Sequence, residues 1–279
     1  MSARSELLKQ QRNWADATGL SPDARGYVPN VNTNLYRALS PIAKQGFKNG
    51  SGNELEDRNS RPAKMRALHS SSALVVNVFD YWAVRDTGPL MKALGLKKAQ
   101  LPLRFEAQFP TNLEGSPPNL DLAIELISGM TVGVESKFSE WLTPKPPKKE
   151  YFKPKYFPGG KFIWKDQGLS GCQELALSIH RGVEKYRYLD AAQLLKHALG
   201  LATQLSNRFV LYYLYYDWSC PQSEQHKKEL ERFTNLLGEE LRLQTLTYQE
   251  LFSRLSSAPD KIDGGYLSYL RKRYFEPSA

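Results

Sequence analysis

The chain has 279 residues, of which 41% are hydrophobic, and its 38 Lys and Arg against 29 Asp and Glu give a formal net charge of +9. This composition is typical of a globular protein with a sizeable core, and it contains no run of about 18 apolar residues that could form a transmembrane helix. The positive charge favours a polyanionic partner, nucleic acid first, because Lys and Arg release counterions when they contact phosphates.

The N-terminus and the cysteines bear on the cellular setting. The first residues carry charges and lack the apolar stretch of a secretory signal. Cys172 and Cys220 form no CxxC motif, so neither a cysteine-based zinc site nor a disulfide framework is expected. We therefore expect a cytoplasmic protein that does not associate with membranes.

Residues 1–60 combine weak hydrophobic periodicity with many turn-forming residues. We interpret them as a loosely structured N-terminal arm with one short helix near Leu35–Lys44. The remaining residues, 61–279, are predicted to form a single domain.

The first half of this domain predicts helices followed by a three-stranded meander. Apolar residues at helical spacing indicate helices at about 70–84 and 89–94, and alternating apolar residues indicate strands. The predicted strands are Leu101–Phe109, Asn119–Ile127 and Met130–Phe138. A tight turn at Ser128-Gly129 makes the last two strands antiparallel neighbours.

The second half alternates helices and strands. The predicted helices are 170–186, 190–206, 222–237, 248–256 and 263–274, and the predicted strands are Phe209–Tyr216 and Leu241–Leu246. This order predicts an α/β fold with a central mixed sheet flanked by helices.

Acidic residues and a lysine cluster at one end of the meander. Asp121 and Glu135 lie seven and six residues from the predicted turn on adjacent strands, so the hairpin can bring them side by side. Lys137 follows Glu135 by two residues and therefore faces the same side of its strand. Glu106, on the preceding strand, is a third acidic candidate.

Two carboxylates suit Mg²⁺, a hard cation that prefers oxygen ligands and retains waters, and Mn²⁺ can substitute for it. Such a cation polarises a phosphodiester and acidifies a bound water. Lys137 could then orient the water or balance charge in the transition state. Glu106 could supply a third ligand or hold a water of the metal shell.

The segments Pro118–Asp121 and Val134–Lys137, in this order of elements, resemble the motifs of the PD-(D/E)XK nuclease superfamily, which has the restriction-endonuclease-like fold. The resemblance covers about residues 68–217. It departs from the pattern in one respect, since the proline lies three residues before Asp121 rather than next to it.

The resemblance implies that Asp121 and Glu135 are ligands of a divalent cation and that Lys137 is catalytic. It also implies hydrolysis of phosphodiester bonds that leaves a 5′-phosphate and a 3′-hydroxyl. The competing interpretation is that these residues are surface charges on an exposed sheet face.

The predicted helix 190–206 carries a polar stripe formed by Gln193, Lys196 and His197. In many members of the superfamily, the helix after the metal-binding strand supplies a Gln or Lys to the active site. By that likeness Gln193 and Lys196 are candidates to contact a phosphate or a metal-bound water. A solvated helix face is the simpler interpretation of the same stripe.

Residues 142–165 contain seven lysines against one acidic residue, together with six aromatic residues and five prolines. The prolines prevent a regular helix, and we interpret this basic segment as an insertion that contacts DNA. The candidate nucleic-acid-binding residues are Lys145, Lys148, Lys149, Lys153, Lys155, Lys161, Lys165 and, from the 190–206 helix, Lys196. The candidates for stacking on bases are Tyr151, Phe152, Tyr156 and Trp164. Alternatively, the aromatic rings pack the segment against the core while the lysines stay solvated.

These features together predict a Mg²⁺-dependent deoxyribonuclease with a restriction-endonuclease-like core, with DNA favoured over RNA as the substrate. The alternative is a non-catalytic nucleic-acid-binding protein that uses the basic segment alone. A homodimer would suit double-strand cleavage, although no interface can be identified from the sequence.

Overall fold

The computed structural model describes residues 2–50, 52–146, 151–257 and 262–276, without the side chains of residues 100 and 101. A five-stranded sheet forms its centre, with the strands in the order β1-β2-β3-β4-β5. The strands are β1 (Ala99–Gln108), β2 (Asn119–Leu126), β3 (Thr131–Lys137), β4 (Phe209–Tyr215) and β5 (Leu243–Thr247). The first three are antiparallel neighbours, and β3, β4 and β5 are parallel. The predicted mixed sheet of an α/β fold is confirmed.

Helices flank this sheet. They are α1 (Ala3–Ala17), α2 (Pro41–Asn49), α3 (Ser71–Phe79), α4 (Gly88–Ala93), α5 (Ser170–His180), α6 (Ala191–Leu205), α7 (Pro221–Leu237), α8 (Tyr248–Ser256) and α9 (Gly264–Leu270). α3 packs on β2 and β3, and α6 packs on β3 and β4. The helices from α3 onward confirm the predicted order, with α5 ending six residues before its predicted end. No helix of the described part of the chain is long and apolar enough to cross a membrane.

The N-terminal segment is more ordered than the sequence predicts. Residues Ala3–Ala17 form α1, capped by the Ser2 hydroxyl, and its Leu7 side chain is fully buried in the main core. Gln11 is also buried and donates from Nε2 to the backbone oxygen of Arg273 at 3.0 Å. The hydrophobic pattern of the sequence did not predict this helix because a glutamine occupies a position on its buried face.

The packing between β1 and α2 is unusually close. At Gly46 an added Cβ atom would lie 2.5 Å from the backbone oxygen of Phe105, so only glycine permits this contact. The short helix expected near Leu35–Lys44 begins instead at Pro41, after the Ser40 N-cap, and continues to Asn49. α2 therefore covers the outer edge of the sheet next to Glu106.

A buried histidine lies behind β4. His226 of α7 stacks on Trp141 with ring centroids 4.7 Å apart, and its Nε2 lies 2.9 Å from the hydroxyl of Tyr213. Burial lowers the pKa of His226 to about 4, because the imidazolium would lose its hydration. The folded chain therefore favours the neutral ring, whereas the unfolded chain binds a proton near pH 6.5.

We expect His226 to make the protein acid-sensitive. The stability that the neutral ring contributes is fully present above pH 6.5 and is lost as the pH falls towards 4. Across that window the free energy of unfolding should fall by about 3 kcal/mol more in the wild type than in His226→Gln. Urea unfolding at a series of pH values tests this, with His180→Gln, an exposed histidine, as the control. Equal pH profiles for the wild type and His226→Gln would contradict it.

Candidate functional site

Strand register aligns three acidic residues in one row across β1, β2 and β3. The residue pairs that flank this row are Phe105–Leu122, Ala107–Leu120 and Leu122–Val134. They place Asp121 between Glu106 on one side and Glu135 on the other. Directly opposed residues of antiparallel strands share a face of the sheet, so the three acidic residues form a carboxylate row. The predicted proximity of Asp121 and Glu135 is present in the structure.

Lys137 lies beside this row at the end of β3. Its Nζ lies 2.5 Å from Oε1 of Glu135 and donates to Oε1 of Gln193 at 3.0 Å. Burial alone would lower the pKa of Lys137, but the carboxylates of Glu135, Glu140 and Asp121 outweigh it and raise the pKa above its usual range. Lys137 is therefore a fixed cation. α6 brings Gln193 to the site, where its amide oxygen contacts Lys137, whereas the sequence predicted a contact with a phosphate or a metal-bound water.

His197 is a further residue of the site, and it belongs to the same polar stripe of α6 as Gln193. It is buried, and its Nε2 lies 2.9 Å from Oε2 of Glu135. At this distance the imidazole acts on the carboxyl group directly and helps to lower the pKa of Glu135. One helical turn separates His197 from Gln193, and this spacing was the only signal in the sequence.

Glu135 stays ionised although its side chain is only 2% exposed. Burial acts to raise the pKa of Glu135, but Lys137 and His197 together lower it below its usual value. Asp121 has the opposite balance. Burial and the negative charge of Glu135 raise its pKa well above the usual range, while the backbone N–H of Ser136 donates to Oδ2 at 2.7 Å. The negative charge of the three carboxylates therefore exceeds the positive charge that the site itself supplies.

Glu106 occupies a strained position in β1. Its backbone φ is +48°, a left-handed conformation that is costly for a residue with a side chain. Asn119 fixes the carboxylate by donating from Nδ2 to Oε2 at 2.7 Å. Burial and the nearby acids Glu54 and Glu135 raise the pKa of Glu106 to about 7, partly offset by that hydrogen bond.

The donor set fits a hard divalent cation. Mg²⁺ is commonly held by one or two carboxylates together with several waters. Asp121 and Glu135 supply two carboxylates on one face, and Oε2 of Glu135 is a buried oxygen without a directed hydrogen bond. Within the described ranges, no group of three or more His, Cys, Asp and Glu side chains is arranged to hold a metal ion. The fit is therefore to a cation that keeps water ligands.

Three aromatic residues of the basic segment are core residues, which corrects their interpretation as base-stacking candidates. Phe152, Tyr156 and Trp164 are buried, and Nε1 of Trp164 donates to the backbone oxygen of Leu195 in α6 at 2.8 Å. A buried ring cannot stack on a base without leaving the core. These side chains hold the segment against α6, while Tyr151 is half-buried.

The lysines proposed to bind nucleic acid occupy different environments. Three contact the protein itself: Lys145 pairs with Asp190 at 2.6 Å, Lys155 donates to the backbone oxygen of Glu114, and Lys196 donates to that of Tyr151 at 2.8 Å. Lys153, Lys161 and Lys165 are exposed, and Lys148 and Lys149 lie outside the described residues. Lys196 thus contacts the basic segment, and the nucleic-acid role of the set stays a prediction.

The mixed sheet with flanking helices is consistent with a restriction-endonuclease-like core. The chain matches, over residues 17–275, the family model described as restriction endonuclease associating with ARP, and it therefore belongs to that family. The matched range contains all five strands of the sheet and the whole carboxylate row. Comparisons with curated proteins and with solved structures gave no match.

We expect Asp121 to destabilise the metal-free protein. Removing its charge in Asp121→Asn relieves repulsion from Glu135, while the amide oxygen can still accept from Ser136. At neutral pH the free energy of unfolding should therefore be higher in Asp121→Asn than in the wild type, because burial and Glu135 raise the pKa of the wild-type carboxyl group. Mg²⁺ should raise the melting temperature of the wild type but not of the variant.

Thermal unfolding with and without Mg²⁺ measures both effects. The control is Glu125→Gln on the same strand, where the side chain is exposed and pairs with Arg104 at 3.0 Å. Exposed ion pairs contribute little to the free energy of unfolding. This variant should therefore keep the stability and the Mg²⁺ response of the wild type. An Asp121→Asn protein that retains the full Mg²⁺ shift would contradict the assignment of Asp121.

Proposed function

We propose that this chain is a magnesium-dependent nuclease of the PD-(D/E)XK type that hydrolyses phosphodiester bonds in DNA. The observation that carries the proposal is the carboxylate row, Glu106, Asp121 and Glu135, with the ammonium group of Lys137 beside it. A sheet face that only needed to be solvated would not bury Glu135 among charged partners, because burying charges is costly. DNA is favoured because the family description names a restriction endonuclease.

Asp121 and Glu135 would hold the cation, and Glu106 would act through a water of the metal shell, because the three carboxylates are not arranged to hold a metal ion together. When bound, Mg²⁺ supplies polarisation of the scissile phosphate and acidification of a water. The charged form of the row is disfavoured without a cation, since burial, together with repulsion from neighbouring carboxylates, raises the pKa of Asp121 and that of Glu106. This imbalance supports a site built for a divalent ion.

Lys137 would stabilise charge rather than accept a proton. Its raised pKa keeps it an ammonium group at neutral pH, so it can donate to a phosphate oxygen or orient the attacking water. Gln193 holds the ammonium group in position by accepting a hydrogen bond from Nζ. His197 acts through Glu135, and it is therefore a positioning residue.

We predict that Lys137→Ala lowers the rate of Mg²⁺-dependent cleavage about 100-fold or more, because the transition state loses a positioned charge. DNA affinity measured in EDTA should change little. The assay uses supercoiled plasmid, single-stranded DNA and RNA, each with Mg²⁺, Mn²⁺ or EDTA. The matched control is Lys227→Ala, a partly exposed lysine that pairs with Asp217 at 2.9 Å.

Full activity of Lys137→Ala would refute the assignment of this lysine. Salt-sensitive binding by the wild type without metal-dependent product on any substrate would favour the non-catalytic binding protein. Cleavage of RNA alone would correct the substrate and leave the site assignment intact.

A second prediction concerns His197. His197→Phe keeps an aromatic ring in the core but removes the nitrogen that faces Glu135, so Mg²⁺ affinity should fall about 10- to 100-fold. His197→Gln, whose amide can donate to the same oxygen, should restore part of it. The measured quantity is the Mg²⁺ concentration that gives half of the full rise in melting temperature. Identical values for the wild type and His197→Phe would show that the ring plays no positioning role.

A further inference from the structure

Two adjoining cavities outside the carboxylate row are lined by cationic side chains. One has a volume of about 440 Å³ and the other about 690 Å³, and Tyr27 and Lys64 line both of them. The larger cavity is lined by Arg25, Arg58, Arg61 and Lys64 and by no carboxylate. The smaller cavity adds Arg4 together with the carboxylates of Glu54 and Glu140, so the excess of positive charge lies in the larger one. We call the two together the basic groove.

Arg58 and Arg61 are held side by side by a tight hairpin. Each backbone N–H donates to the backbone oxygen of the other residue at 2.9 Å, and the two residues between them, Asn59 and Ser60, have φ of +48° and +63°. Positive φ at both central positions is the type I′ turn of two-residue hairpins, and it is costly for serine. Opposed residues of such a hairpin share a face, so two guanidinium groups of like charge project together.

The carboxylates near the groove already have partners, and that of Glu140 accepts a hydrogen bond from the backbone N–H of Phe138 at 2.8 Å. Glu54 is 9% exposed and lies 3.2 Å from Nζ of Lys64, while Asp57 lies 2.6 Å from Nη1 of Arg66. Lys64 remains 61% exposed despite its pair. Within the described part of the chain, neither Arg58 nor Arg61 forms an ion pair or a side-chain hydrogen bond. Two exposed like charges that share a face and have no counter-charge in the protein are positioned to pair with a polyanion.

The groove lies near the carboxylate row, since the charges of Glu54 and Lys64, which line it, act on Glu106. At Gly50, which precedes the segment that lines the groove, an added Cβ atom would lie 2.9 Å from Oε2 of Glu106. Backbone hydrogen bonds from Lys64 to Asn53 at 2.9 Å and from Met65 to Glu54 at 3.1 Å close this segment into a compact loop. On the other side, the smaller cavity is lined by residues 139, 140 and 143, which follow β3 and Lys137.

We propose that the basic groove binds the sugar–phosphate backbone of the nucleic-acid substrate and guides it to the carboxylate row. This inference rests on the proposed function and adds a binding surface within the N-terminal 70 residues to it. Arg58 and Arg61 contact successive phosphates, because the guanidinium fork matches phosphate oxygens. In this proposal the basic groove, rather than the exposed lysines of the basic segment, is the main contact with the sugar–phosphate backbone.

The test compares two double variants of exposed cations. Arg58→Gln/Arg61→Gln removes the hairpin pair, and Lys161→Gln/Lys165→Gln removes two exposed lysines of the basic segment. Affinity for a labelled DNA duplex of about 20 base pairs is measured by fluorescence anisotropy in EDTA, between about 50 and 200 mM NaCl. Arg58→Lys/Arg61→Lys, which keeps the charge, serves as the conservative control, and thermal unfolding verifies that each variant is folded.

The expected result is a decrease in affinity of about tenfold or more in the Arg→Gln variant. The slope of log Kd against log salt should also decrease by about 2, roughly one unit for each phosphate that the variant no longer neutralises. The Arg→Lys variant should keep the slope of the wild type. A smaller decrease in affinity is expected when the two lysines are replaced.

Wild-type binding with an unchanged Kd and salt slope in Arg58→Gln/Arg61→Gln would overturn the groove and leave the nuclease proposal standing. A decrease confined to Lys161→Gln/Lys165→Gln would move the binding surface to the basic segment. Absence of any nucleic-acid binding by the wild type at low salt would overturn both proposals. Because binding is measured without metal, these outcomes do not depend on whether the site cleaves.

Discussion

The site depends on charge compensation at the end of β3. Glu135 is buried, and an uncompensated carboxylate in such a position would cost several kcal/mol. Lys137 faces one of its oxygens and His197 faces the other, and together they keep the carboxyl group ionised. Without these two partners, burial would favour the neutral acid, and the strand would end without a charged carboxylate.

The fold supplies this compensation through one close approach. Gly133 lies two residues before Glu135 on the same face of β3, and an added Cβ atom there would lie 3.2 Å from Leu201 of α6 and 2.8 Å from Leu120. The missing side chain lets α6 pack directly on the strand. His197, one turn before Leu201, then reaches Glu135, and Gln193, one turn further, reaches Lys137. The parallel crossover from β3 to β4 is what returns α6 to this face.

The N-terminal residues belong to the same structure as the sheet. Leu7 of α1 is part of the main core, and Gly50, just after α2, lies against Glu106. The strained backbone of Glu106 is therefore enclosed by β2 on one side and by the chain after α2 on the other. The N-terminal segment therefore forms part of the surroundings of Glu106.

Local patterns in the sequence determined the order of strands and helices from α3 to α9 and the alignment of Asp121 with Glu135, because alternation and the Ser128-Gly129 turn set the hairpin register. Tertiary structure alone decided which residues of α6 meet the carboxylates, since a polar stripe on a helix does not specify its depth or rotation against a sheet. It also decided that Phe152, Tyr156 and Trp164 are core residues, and that α1 exists, because its buried face includes Gln11 and is stabilised by a contact with Arg273. These features depend on partners far away in sequence, and no local periodicity records them.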